Sequence, residues 1–90
     1  MIQSWKSKEA REVFQGFTPA KGFPTDLVRM TRRRLAQLDA ATQVEDLRSP
    51  PSNRLHIVEG RWSISVNRQF RITFLWGQNG PEEVWFGDYH

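Results

Sequence analysis

The chain has 90 residues, of which 38% are apolar and 12% aromatic, which suits one hydrophobic core and excludes a disordered chain, so a single domain over residues 1–90 is expected. It contains no cysteine, which excludes disulfide bonds and thiolate metal sites. The net charge is +3 and ten of the thirteen cationic residues are arginine, whose guanidinium groups match phosphates and stack on bases. This suggests a nucleic-acid partner, and the alternative is a merely soluble basic protein.

The N-terminal segment gives no sign of export. Residues 1–8 are punctuated by charge and lack the apolar region of a secretory signal. The longest strongly apolar run, residues 72–76, is far too short to cross a bilayer. We therefore expect a soluble, cytoplasmic protein with no membrane partner.

A short strand and a helix are predicted at the start of the chain. Residues 2–5 are expected to form the strand, and Ser7 is expected to cap a helix over roughly residues 8–15. The apolar positions of this helix recur at three- and four-residue steps, at Ala10, Val13, Phe14 and Phe17. Residues 18–24 are predicted to form a loop because they contain two prolines and a glycine.

A second, longer helix of about seventeen residues is predicted to begin after Thr25 as its N-cap. Its apolar stripe consists of Val28, Thr31, Leu35, Leu38 and Ala41. Its opposite face carries Arg29, Arg32 and Arg33, with Arg34 nearby. We expect these arginines to form a solvated face, which could equally dock an RNA backbone or an acidic protein partner.

The second half of the chain changes to a two-residue period, which predicts strands. After a short turn over residues 45–48 and a breaker at 49–53, strands are expected at residues 55–58, 62–66, 70–76 and 84–89. The expected fold is α+β, with two N-terminal helices packed on one face of a curved antiparallel sheet. Its core is expected to join Ile64, Val66, Ile72, Phe74 and Phe86 to Val28, Leu35 and Leu38.

Few side chains are available for chemistry. The sequence has no glycine-rich phosphate loop and no metal-ligand spacing, and its only histidines are His56 and His90. The last three residues, Asp88, Tyr89 and His90, are all polar or titratable. They form either an idle solvated tail or part of a site, and the apolar strand before them favours the second reading because it anchors the tail to the sheet.

Arg71 stands inside an otherwise apolar strand. It is either an ordinary outward residue or a phosphate ligand on the sheet face that the helices leave open. Ser63, Ser65, Thr73 and Leu75 should share that face and leave it polar and sparsely filled. Strict alternation places Trp85 and Tyr89 on one face and Asp88 and His90 on the other, so they cannot all meet Arg71 unless the last strand bulges or ends early.

Five segments of the chain resemble the HigB branch of the RelE/ParE toxin superfamily, also called plasmid-maintenance killer proteins. They are MIQSW at residues 1–5, LDAAT at 38–42, DLRSPPSNRL at 46–55, WSISVNRQFRITF at 62–74 and DYH at 88–90. The resemblance implies a RelE-like microbial-RNase fold and cleavage of mRNA in the ribosomal A site. It also implies a helix-turn-helix antitoxin, HigA, as partner, with DNA reached only through that antitoxin.

Carried over by position, the functional residues of this family fall on Arg71, Asp88, Tyr89 and His90, and His56 matches a histidine found in some members. Where some relatives carry a lysine shortly after that histidine, this chain has Glu59, which cannot stabilise negative charge on phosphorus. Either one of the arginines Arg54, Arg61 and Arg68 replaces the lysine in binding RNA, or catalysis relies more on the ribosome.

The implied reaction needs no metal ion or other cofactor. A 2′-hydroxyl attacks the neighbouring phosphate, so the step requires a base, a cation and an acid. His90 could exchange the proton, Asp88 could orient His90, and Arg71 could stabilise the developing charge. Tyr89 would stack on a base or donate a proton, and His56 is the alternative acid. The alternative function is a non-catalytic RNA- or ribosome-binding module that blocks translation by occupancy, and a DNA-binding regulator is less favoured.

Overall fold

The computed structural model describes residues 1–18 and 21–88. Within them the chain forms two α-helices, α1 (Lys8–Phe14) and α2 (Val28–Ala40), and four strands, β1 (His56–Val58), β2 (Arg61–Ser65), β3 (Phe70–Gly77) and β4 (Gly80–Asp88). Short 3-10 helices cover Thr25–Leu27, Val44–Arg48 and Pro51–Asn53. The predicted α+β class is therefore correct, with the helices preceding the strands in the chain.

Helix α1 begins where the sequence predicts. The hydroxyl of Ser7 accepts a hydrogen bond from the backbone N–H of Ala10 at 3.2 Å, which pairs one of the free donors at the start of the helix. Ala10 and Val13 are fully buried. Phe17, predicted to continue their stripe, instead lies beyond the helix and is 59% exposed, because the chain turns at Gly16 with a φ of 87°.

The expected first strand over residues 2–5 is absent. Trp5 makes an isolated parallel bridge with Val84, and the segment is otherwise irregular. Hydrogen bonds hold the segment to the fold: the N–H of Ile2 donates to the carboxylate of Asp39 at 2.9 Å, and the N–H of Gln3 donates to the carbonyl of Pro81 at 2.8 Å. The apolar residues of the segment are therefore explained by packing at the sheet edge rather than by a strand.

Helix α2 differs from its prediction in two ways. Thr25 does not cap it; Thr25 opens a tighter 3-10 turn, and the α-helix starts at Val28. Sequence periodicity does not separate these two kinds of turn over three residues. Arg34, assigned to the solvated face, is only 6% exposed, since its position three residues after Thr31 and four before Leu38 puts it in the buried stripe.

The four strands form one antiparallel sheet in the order β1-β2-β3-β4. Strand β4 starts at Gly80, four residues earlier than predicted, because Gly80 and Pro81 pair with the end of β3 instead of lying in the turn. A bulge interrupts this pairing: Thr73 pairs with Trp85 but Leu75 with Glu82, so β4 carries one extra residue. Glu83, at the bulge, has a φ of 49°.

The predicted core is confirmed. The fully or nearly buried apolar side chains form one cluster, which consists of Ala10, Val13, Leu35, Leu38, Ala41, Leu47, Ile64, Val66, Ile72, Phe74, Val84 and Phe86. Val28 packs against this cluster and is half-buried. Within the described ranges, no helix is both long and apolar enough to span a membrane.

Candidate active site on the polar face of the sheet

The strand register defines a second face of the sheet, opposite the core. Cross-strand partners share a face and successive residues alternate, so His56, Ser63, Thr73 and Trp85 form one row and Ser65, Arg71 and Gly87 form the next. Arg61, two residues before Ser63, belongs to the same face. Val58, which pairs with Arg61, and Leu75, two residues after Thr73, lie on the same side of the sheet. We call the part of this surface formed by His56, Arg61, Ser63, Ser65, Arg71, Thr73, Trp85 and Gly87 the polar face.

Arg71 is held at the centre of the polar face. Its Nη1 donates to the hydroxyl of Ser65 at 3.2 Å and makes a longer contact of 3.5 Å with the hydroxyl of Ser63. These contacts fix the direction of the side chain, and the residue is half-buried, so part of it stays accessible. A guanidinium has five N–H donors, and two serine hydroxyls leave others available for a phosphate.

The polar face is more filled than the sequence suggested. Ser63, Ser65 and Thr73 are buried, although they belong to the face that carries no core residues. They are buried because the long side chains of Arg61 and Arg71 lie across them and donate to their hydroxyls. The expectation of a sparsely filled surface is therefore wrong, and arginine side chains form much of it.

Arg34 reaches the same strand from the helix side. Its Nε donates to the backbone carbonyl of Ser65 at 3.2 Å, and its Nη2 donates to the hydroxyl of Ser52 at 3.3 Å. Burial, followed by the nearby charge of Arg33, lowers the pKa of the Arg34 guanidinium. Arg34 was predicted to be solvated, and the signal for its buried role was its position within the apolar stripe of α2.

Arg61 is the candidate cation that the fold fixes most closely. Its Nε donates to the hydroxyl of Thr73 at 3.1 Å, and its Nη2 donates to the backbone carbonyl of Glu83. Its Nη1 also lies 3.8 Å from the carboxylate of Glu83. The bulge in β4 places Glu83 where it can make both contacts, so the bulge orients Arg61.

His56 lies on the polar face at the outer strand and is exposed. Its Nδ1 is 2.6 Å from the backbone carbonyl of Arg54. A carbonyl only accepts hydrogen bonds, so Nδ1 carries the proton, and in the neutral ring Nε2 is the free acceptor. His56 therefore lies on the same face as Arg71, and Ser63, which pairs with His56 and contacts Arg71, lies on the strand between them.

Asp88 does not join Arg71. Asp88 pairs with Phe70, so it lies on the face of the sheet opposite to Arg71, at the end of β4. It is exposed there and accepts a hydrogen bond from the side-chain amide of Gln69 at 2.8 Å. The alternation predicted from sequence is confirmed for Trp85 and Asp88. The other two candidates of the C-terminal triplet, Tyr89 and His90, lie outside the described residues.

The remaining arginine candidates are not brought onto the polar face. Arg54 is exposed, adopts a left-handed conformation with a φ of 51° and precedes β1. Arg68 is exposed in the loop between β2 and β3. Of the three arginines proposed to replace the lysine of some relatives, Arg61 is the one that shares a face with Arg71.

Trp85 was not singled out by sequence analysis as a functional residue. It lies on the polar face in the row next to Arg71, and it is half-buried. A β-carbon added at Gly87 would lie 2.2 Å from its Cζ2 and 2.3 Å from its Cη2, so the six-membered ring covers the glycine. The signal in the sequence was the spacing of Trp85 and Gly87, two residues apart on one strand face.

The sequence matches a known family over almost its whole length. The family consists of HigB-like toxins, RelE-like toxins of type II toxin–antitoxin systems, and its model matches residues 3–90. The chain is 35% identical over 80 residues to Toxin HigB-1 of Vibrio cholerae, covering 84% of each chain. It is 34% identical over 95 aligned positions to Endoribonuclease HigB of Proteus vulgaris, covering 100% of each. These matches confirm the resemblance identified from the motifs.

Proposed function

The chain belongs to the HigB-like toxin family of type II toxin–antitoxin systems, and from this premise we propose that it is an endoribonuclease that cleaves mRNA in the ribosomal A site. Membership of the family implies an antitoxin partner. The name of the Proteus vulgaris relative supports ribonuclease activity. The main structural support for this activity is the position of Arg71, which two serine hydroxyls orient on the same face of the sheet as His56.

In the proposed reaction a base removes the proton of a 2′-hydroxyl, and the oxygen forms a bond to the adjacent phosphorus. The bond from phosphorus to the 5′-oxygen breaks, an acid gives that oxygen a proton, and the products are a cyclic phosphate and a free 5′-hydroxyl. Negative charge grows on the non-bridging oxygens, so a fixed cation accelerates the step. Arg71 is our candidate for that cation.

His56 and His90 are proposed as the proton-transfer pair. His56 is exposed on the polar face, and its Nδ1 contact with the backbone leaves Nε2 available to accept or donate a proton. Asp88 is proposed to orient His90, and Tyr89 to stack on a base or donate a proton. Because base and acid both come from side chains in this scheme, the proposed step proceeds without a metal ion.

We further propose the fold, antitoxin, nucleic-acid partners and location that the family resemblance implies. The fold is proposed to be the RelE-like one, with both helices on one face of a curved sheet that forms a single domain over residues 1–90. The antitoxin is proposed to be a helix-turn-helix protein of the HigA type that brings the toxin to DNA. mRNA and ribosomal RNA are the proposed nucleic-acid partners, which places the protein in the cytoplasm.

The deciding experiment compares two substrates. Purified protein is added to a naked mRNA and to the same mRNA programmed in ribosomes, and the new 5′ ends are mapped. The expected result is cutting confined to the A site, because the ribosome holds the substrate in a reactive geometry that few catalytic groups supply alone. Comparable cutting of free RNA would identify an ordinary small ribonuclease.

The same assay separates catalysis from blockage by occupancy. If the protein binds ribosomes and inhibits translation but cuts no mRNA, the result supports the non-catalytic alternative. Binding itself should weaken steeply with salt in either case, because each phosphate contact releases counterions. Measuring the affinity at several salt concentrations therefore tests whether the protein binds RNA through its phosphate backbone.

A further inference from the structure

We propose that Trp85 forms a nucleobase-binding site beside Arg71, and that its ligand is a base of single-stranded RNA next to the scissile phosphate; this inference rests on the proposed function. The indole is the one large aromatic side chain among the polar-face residues defined above. The other described tryptophans, Trp5, Trp62 and Trp76, pack against the hydrophobic core. Trp85 is therefore available for a role that core packing does not require.

The geometry around Trp85 suits a planar ligand. Gly87 has no β-carbon, and this lets the indole lie along the strand instead of standing away from the sheet. The part of the ring at Cζ2 and Cη2 therefore lies close against Gly87, while part of the residue remains exposed. A supported aromatic plane of this kind is the usual platform for stacking bases of a single strand.

A pocket of about 190 Å³ adjoins the indole and is lined by Lys6, Glu59, Arg61, Thr73 and Trp85. It is smaller than the roughly 300–1,000 Å³ typical of pockets for whole drug-sized molecules. That size suits one flat ring system entering from a strand that runs over the surface. A larger depression of about 480 Å³ beside Phe17 and Val28 contains no residue of the polar face. Another of about 290 Å³ includes Gly87 as its single polar-face residue and is otherwise lined by other parts of the chain, such as Phe23 and Phe86.

The charges of the pocket fit a nucleotide better than a simple anion. Lys6 and Arg61 can attract the phosphates on either side of a bound base. Glu59 would repel a phosphate, but its carboxylate can accept hydrogen bonds from the exocyclic amino group of adenine, cytosine or guanine. Glu59, which stands where some relatives carry a lysine, would thus help to select the bound base.

The position of Trp85 relative to Arg71 connects the pocket to the chemistry. Arg71 pairs with Gly87, so Trp85 is its diagonal neighbour on the next strand. Such neighbours lie about 7–8 Å apart, within reach of long and aromatic side chains. A base stacked on Trp85 would therefore bring its flanking phosphate toward Arg71.

The primary test measures binding without cleavage. The probe is a short, fluorescein-labelled 2′-O-methyl RNA, which lacks the attacking hydroxyl, and the matched probe is an abasic strand of the same length that keeps its phosphates. Fluorescence anisotropy should show Trp85→Leu binding the RNA roughly 5- to 150-fold more weakly than the wild type, the range expected from stacking. Binding of the abasic strand should differ little between the two proteins.

Three further variants separate stacking from structure. Trp85→Phe should recover most of the lost affinity, since a smaller ring still stacks. Gly87→Ala keeps the indole but displaces it, and should weaken RNA binding in the same direction. Phe17→Leu, an exposed aromatic outside the polar face, should bind like the wild type.

The outcomes are distinct from those of the cleavage assay. A folded Trp85→Leu protein with wild-type affinity, or with an equal loss on RNA and on the abasic strand, would overturn the base site whether or not the protein cuts mRNA. Base-dependent binding that needs Trp85, in a protein that cuts no mRNA, would support the site and remove the proposed catalysis.

Discussion

The guanidinium groups of Arg34 and Arg71 bind the same residue from different sides. Arg34 donates to the backbone carbonyl of Ser65 and Arg71 donates to its hydroxyl, at 3.2 Å in both cases. Arg34 comes from α2, among buried residues, whereas Arg71 lies on the polar face. The end of β2 is thus fixed between a helix and the candidate catalytic cation.

Replacing Arg34 with methionine should destabilise the protein by about 1–3 kcal/mol, because it leaves the buried carbonyl of Ser65 without its side-chain donor. Chemical denaturation measures the free energy of unfolding. Arg29→Met, an exposed change on the same helix, is the control and should stay within about 0.5 kcal/mol of the wild type. Unchanged or higher stability of Arg34→Met would mean that desolvation of the guanidinium outweighs its hydrogen bonds.

Replacing Arg71 with alanine should lower the cleavage rate on programmed ribosomes by about 10²–10³-fold, the usual effect of removing one group that stabilises developing charge. Expression of the variant should no longer arrest growth, while circular dichroism shows a folded protein. Arg48→Ala, an exposed arginine outside the polar face, should remain toxic. Full toxicity of a folded Arg71→Ala protein would exclude Arg71 from the mechanism.

Replacing Ser65 with alanine should reduce the cleavage rate at least about tenfold, since it removes one hydrogen bond of the charged Arg71 guanidinium, and such bonds contribute about 1.5–3 kcal/mol. The same change made in the Arg71→Ala protein should have no further effect on the rate. Single-turnover rates of the two single variants and the double variant test this. Additive losses would show that Ser65 acts independently of Arg71.

Replacing His56 or His90 with alanine should each lower the single-turnover rate by about 10²–10⁴-fold if both transfer protons. Each change should also remove one limb of the pH–rate profile. Ile57→Ala, an exposed neighbour on β1, is the control for damage to the edge strand. A His56→Ala protein with the wild-type profile would leave proton transfer to the C-terminal residues.

The stability contributed by Asp46 should depend on pH. Its carboxylate accepts hydrogen bonds from the backbone N–H groups of Thr42 and Gln43, which hold its pKa below the ordinary value. The contribution is therefore fully present above pH of about 3.9, the ordinary aspartate value, and is lost as pH falls through the lower folded pKa. The difference in Tm between the wild type and Asp46→Asn should shrink over that range, and Glu45→Gln controls for loss of a neighbouring exposed charge. A constant difference would contradict this.

Local patterns predicted most of the secondary structure. The cap at Ser7 and the core positions in α2, β2 and β3 follow from hydrogen-bonding chemistry and from the periods of apolar residues, both of which act over a few residues. The secondary-structure predictions were wrong where contacts with distant segments outweigh the local preference of the chain. Residues 2–5 have the composition of a strand, but they lie at a sheet edge and bond to α2 and β4.

The candidate site likewise has features that local sequence predicts and features that depend on distant contacts. By itself the sequence determined which residue types were available, two histidines and a single arginine within β3, and through strand alternation it placed Trp85 and Asp88 on opposite faces. Only the tertiary structure decided which of them meet, because cross-strand register depends on turns and on the bulge at Glu83. That register put His56, Arg61 and Arg71 on one face, and helix packing turned Arg34 from an apparent surface charge into a buried support for Ser65.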